Sequence, residues 1–140
     1  MLLRFALSLA FLYAATQFAE ASPVGLWRAK DGAQIRIAAC GKDRLCGFLA
    51  ATNPRNDPET GKPPVDKHNP DPAKRGRPLA GIQILFGMTP SGPGEWSGQL
   101  YNDDDGRIYD GKLKHLGPAE IRIEGCAGAL CGGENLTRLK

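Results

Sequence analysis

Along most of the chain, apolar and polar residues alternate in short runs, and clusters of Gly, Pro, Asn and Asp separate the runs. That is the pattern of strands joined by tight turns, and helical periodicity is nearly absent. The alternation predicts strands at 24–28, 33–39, 45–51, 82–86, 95–101, 107–113, 119–124 and 134–139. A set of about eight short strands suits an all-β antiparallel up-and-down barrel, because closing the sheet removes the edges that an open one leaves exposed.

Comparing the chain with itself reveals an echo. Ile35-Arg36-Ile37-Ala38-Ala39-Cys40 leads to Leu45-Cys46-Gly47, and Ile121-Arg122-Ile123-Glu124-Gly125-Cys126 leads to Leu130-Cys131-Gly132. In each copy the alternation assigns the isoleucines to a buried face and Arg36 or Arg122 to the other. Two uses of one hairpin account for this more simply than a duplicated domain.

The stretch 52–78 breaks the pattern. It holds seven of the eleven prolines, so it supplies no central strand. Loops of this length inside a compact domain are usually functional or disordered. Within it, Asp71-Pro72-Ala73-Lys74-Arg75-Gly76 offers an N-cap, a proline at the first helical position and a terminating glycine, which predicts one short helical turn.

Each cysteine pair flanks a hairpin loop, so Cys40 is expected to bond Cys46 and Cys126 to bond Cys131. Zinc is the competing use, but intervals of five and four residues do not suit structural zinc, and no Cys-x-x-Cys redox pair is present. Disulfides in turn imply an oxidising compartment, and the N-terminus agrees. Arg4, an eleven-residue apolar run from Phe5 to Ala15 and the small-residue pattern Ala19-Glu20-Ala21 read as a signal peptide, 1–21, cleaved after Ala21. The run is too short for a membrane anchor, which needs roughly 20 apolar residues. Residues 22–140 are then expected to form one barrel domain, periplasmic or secreted, with no transmembrane segment.

The net charge of +3 is interleaved along the chain without forming a stripe, which argues against nucleic acid. In the long loop Lys62, Lys67, Lys74, Arg75 and Arg77 are offset by Asp57, Glu59, Asp66 and Asp71, so a membrane-surface role is not favoured. No pattern points to a cofactor. The run Asn102-Asp103-Asp104-Asp105-Gly106 fails as a calcium loop, since Tyr101 and Lys112 occupy the first and twelfth ligand positions. A polar hairpin turn ending in Asp-Gly explains it.

Gly25-Leu26-Trp27 resembles the opening signature of lipocalin-type barrels, in which the indole plugs one end and a late arginine packs over it. Arg138 is the matching cation–π partner. Together with the two Leu-Cys-Gly hairpins, the run from Asp66 through Arg75-Gly76-Arg77-Pro78 to Ile82, Trp96-Ser97-Gly98-Gln99-Leu100-Tyr101 and Asp105-Gly106-Arg107-Ile108-Tyr109, it resembles the bacterial family called domain of unknown function 2147. The likeness runs almost the whole length of 22–140. It implies an exported envelope protein with a lipocalin-like barrel and no assigned function. One departure is Leu136, where the resemblance implies tryptophan.

Three functions follow for testing. A binding module would hold a small amphipathic or apolar molecule in the barrel, with the 52–78 loop over the opening and Asp66, Asn69, Arg77, Trp96, Tyr101 and Tyr109 as contacts. An envelope interaction protein would instead fill its interior with Phe48, Ile82, Ile84, Leu85, Phe86 and Trp96 and present the loop to a protein partner. A hydrolase would need Asp66, His68 and Asp103 to converge within hydrogen-bond reach; a salt bridge of Asp66 with Arg77 that folds the loop is the plainer role. His68 and His115 carry no metal-ligand spacing and are read as surface residues.

Overall fold

The computed structural model describes residues 22–140, so the expected signal peptide lies outside the described residues. Eight strands form: β1 (Gly25–Arg28), β2 (Gln34–Gly41), β3 (Arg44–Ala51), β4 (Gln83–Gly92), β5 (Glu95–Asn102), β6 (Arg107–Gly117), β7 (Glu120–Ala127) and β8 (Leu130–Arg138). A single 3-10 turn, Pro72–Lys74, lies in the long loop with Asp71 accepting the Ala73 N–H as its cap. Each strand pairs antiparallel with its neighbour in the chain, and β8 returns to β1, so the sheet is a closed barrel. β1 meets β8 over only two registered pairs, Trp27 with Arg138 and Arg28 with Thr137.

Several strands are longer than the alternation predicts, β4 and β8 most instructively. β4 continues through Pro90 to Gly92. It tolerates the proline because the pairing with β5 shifts register on both sides of it, and a bulge does not need every ladder N–H. β8 starts at Leu130, since a two-residue turn lets Cys126 face Cys131 directly.

Both expected disulfides form, Cys40 with Cys46 and Cys126 with Cys131. The echo is not a copy in detail. Across a two-residue turn, directly opposed residues are separated by an odd number. The separation of five in the second pair therefore makes Cys126 and Cys131 direct partners. The separation of six in the first requires a register shift, found between Ala39 and Gly41 with Cys40 as the extra residue.

Up-and-down topology divides the connections between two ends. The β1–β2, β3–β4, β5–β6 and β7–β8 links lie at one end, the mouth; the other three links, with residues 22–24 and 139–140, lie at the floor. Trp27, fully buried, plugs the floor. The Arg138 guanidinium lies 4.2 Å from its ring centroid. Arg138 also donates to the carbonyls of Ser22 at 2.7 Å, Pro118 at 2.6 Å and Val24 at 3.0 Å, while the indole N–H donates to Pro23. Gly25 explains the Gly-x-Trp spacing: a Cβ there would stand 2.4 Å from the Lys140 carbonyl and 2.5 Å from the Arg138 guanidinium.

Above the plug, Ile37, Leu85, Met88, Leu113, Ile121 and Leu136 form the core, with the partly buried Phe86 and Trp96 packed against it. Phe48 is only half-buried and stands outside this cluster. Ile35 is half-buried against the cluster and Ile123 lies within it.

Candidate functional site

The barrel is not filled. A cavity of about 850 Å3 occupies its mouth half, within the roughly 300–1,000 Å3 range of small-molecule sites. Its wall is apolar, built by Ile35, Leu49, Ile84, Leu100, Ile123 and Leu136. Its rim is polar and comes from all four mouth connections: Asp31, the Thr52–Asn53 start of the long loop, Asn102 to Asp104, and the β7–β8 hairpin with Glu134 below it. Leu130, at that hairpin, is 82% exposed and borders the opening. Cys131 also borders the cavity.

The long loop is ordered by polar contacts. Its two arms run antiparallel, with Val65 bridged to Pro78, and the Asp66 N–H donates to the Arg77 carbonyl. Asp66 is fully buried. Its Oδ1 accepts from the Tyr101 hydroxyl at 2.6 Å, and its Oδ2 accepts from Asn69 Nδ2 at 2.8 Å and from the Arg77 guanidinium at 2.9 and 3.0 Å. Burial alone would raise the Asp66 pKa, but the hydrogen bonds from Tyr101, Asn69 and Arg77 and the arginine charge outweigh it and hold the carboxyl below its ordinary value. The same burial and the neighbouring carboxylate push Tyr101 up to about 12.

A second contact fixes the loop to the β5–β6 turn. Gly106 has φ of +70°, and a Cβ there would stand 1.9 Å from the His68 carbonyl oxygen. Only glycine meets both demands, the left-handed backbone and the contact with another backbone. His68 Nδ1 completes the seam by donating to the Asp103 carbonyl at 3.2 Å.

The residues singled out from sequence therefore fall into three places. Tyr101 and Tyr109 border the cavity, and the Tyr109 hydroxyl donates to Asp105. Asp66, Asn69 and Arg77 come together behind Tyr101, with both Asn69 and Arg77 donating to the Asp66 carboxylate. Trp96 does not border the cavity: β5 runs from floor to mouth, so Trp96 sits roughly 17 Å along the strand from Tyr101. For hydrolysis, no hydrogen bond joins the side chains of Asp66, His68 and Asp103, and the Asp66 carboxylate is already saturated. Among the described residues the sole metal-like grouping is Glu124 with Cys126 and Cys131, and those sulfurs are bonded to each other.

The sequence reading missed Asp31, Asp104 and Glu134 as rim residues. Strand parity carries the signal for the last: Glu134, Leu136 and Arg138 share one face of β8, and Leu136 is fully buried.

A closed eight-stranded antiparallel barrel with one plugged end and one hollow end defines a lipocalin-like protein. The chain belongs to the family described as "Uncharacterized protein conserved in bacteria (DUF2147)", whose model matches residues 25–138. Protein HP1028 from the human pathogen Helicobacter pylori, described as belonging to the lipocalin family, has a similar structure. Its TM-score is 0.70 at 17% identity, and the match covers 86% of this chain and 84% of that one. That likeness establishes the fold. No curated protein matches the sequence.

Proposed function

We propose that this is an exported binding protein whose barrel takes a small amphipathic molecule, its apolar part in the lumen and its polar part at the rim. The observation that carries this reading is the 850 Å3 cavity, apolar within and polar at the opening. The two disulfides fit an oxidising compartment such as the periplasm, and no helix among the described residues is long and apolar enough to cross a membrane. The interaction reading requires a solid interior, which the cavity and the half-buried Phe48 disfavour.

Native mass spectrometry of the protein purified from its own envelope tests the binding reading. A reproducible added mass that denaturation releases is expected. A barrel that is always empty, and that fails to take up an apolar fluorescent probe, would overturn it. N-terminal sequencing of the same material tests export, with Ser22 expected as the first residue.

A further inference from the structure

The cavity is electrostatically one-sided. Four carboxylates border it, from Asp31, Asp103, Asp104 and Glu134, and no Lys, Arg or His does. This occurs in a chain whose net charge is +3, so the bias is local. None of the four takes part in an ion pair; the salt bridges among the described residues involve Asp66 and Glu124 only. The Asp31 carboxylate accepts just the Ala33 N–H, and that of Glu134 just the Lys30 N–H, while no side chain donates to the carboxylates of Asp103 or Asp104.

From these observations we infer that the ligand is an organic cation, an amine, quaternary ammonium or guanidinium on an apolar body. The inference rests on the binding reading above and names the charge class of its ligand. Carboxylates facing a partly desolvated cavity without counter-ions favour a positive guest and repel a negative one. Asp103 agrees: burial, and then the charge of Asp104, hold its carboxyl above the ordinary value, and the charge of a bound cation acts against both. A bare metal ion fits less well, since no three of these carboxylates converge on one point. The apolar wall below the rim also requires a ligand with a body to bury.

The test uses residues 22–140 with disulfides intact and three octyl probes below their micellar concentrations: octyltrimethylammonium, 1-octanol and octyl sulfate, each followed by calorimetry. The cation is expected to bind roughly tenfold more tightly than the alcohol, with the sulfate weakest. That preference should shrink between about 10 mM and about 500 mM salt. The triple variant Asp103→Asn, Asp104→Asn, Glu134→Gln is expected to lose it, while Glu59→Gln, an exposed acid away from the cavity, should keep it. Should the triple variant misfold by circular dichroism, Glu134→Gln alone is used, because glutamine still accepts the Lys30 N–H. Binding of alcohol or sulfate as tightly as the cation overturns the charge assignment and leaves the binding reading standing. Calcium binding that excludes the octyl cation also overturns the assignment. Failure of all three probes overturns both.

Discussion

Each end of the barrel is organised around an arginine, but the partners differ in kind. At the floor, Arg138 faces the Trp27 ring and backbone carbonyls, none of which changes charge with pH. At the mouth, Arg77 faces the Asp66 carboxylate, whose charge depends on a proton. The floor closure therefore involves no titrating side chain besides the arginine, and it sits beneath a packed core. The mouth closure is conditional, and what it holds is a loop beside a cavity. The lesson is that one barrel can keep its shape and still have an adjustable rim, provided the two closures share no group.

The sharpest way to break this contrast is to remove both anchors in turn. Trp27→Ala is expected to cost about 3–5 kcal/mol, the usual result of deleting a large buried ring, as a global loss in urea unfolding. Asp66→Ala should cost about 2 kcal/mol. This lies below the figure for a fully buried pair because the Arg77 side chain is 38% exposed. Its effect should be local: faster amide exchange at 64–79 with the β6–β8 ladders unchanged. If Asp66→Ala lowers the barrel's own unfolding midpoint as steeply as Trp27→Ala does, the two ends are not separable.

Acid should reproduce part of that effect. The folded Asp66 carboxyl is held below its ordinary value of 3.8, so its contribution is present above that value and is lost as pH falls through the depressed one. Tyr101 works in the opposite sense. Its pKa is raised from 10.0 to about 12, so its contribution is present below pH 10 and is lost as pH rises through about 12. Amide exchange at 64–79 should accelerate outside this window before the strands do. The smallest expected change is Arg138→Lys, about 1 kcal/mol, because an ammonium keeps the charge but loses the planar fork shared among carbonyls.

What the sequence discloses follows how local each feature is. The floor is legible because Gly25 and Trp27 are adjacent in one motif and Arg138 lies at a fixed place near the end. The hairpin disulfides are legible because each ring closes over a few residues. The Asp66–Arg77 link is legible as a loop-internal pair, but Tyr101, the third partner, comes from a strand whose neighbourhood only the closed barrel defines. The cavity is the least legible, since its lining is drawn from seven of the eight strands, and its emptiness depends on summed side-chain volumes. Trp96 falls outside it, and aromatic character alone does not say which end of β5 a residue occupies.

The short pairing of β1 with β8 has a consequence for how the molecule assembles. Every other ladder except β3–β4, which the long loop separates, joins segments adjacent in the chain and forms as a local hairpin, whereas the β1–β8 ladder brings together residues more than a hundred positions apart. The loop-closure cost of that contact falls on two registered pairs and the backbone bonds of Leu26 to Leu139 and Lys140, so the staves gather first and the hoop is drawn tight last.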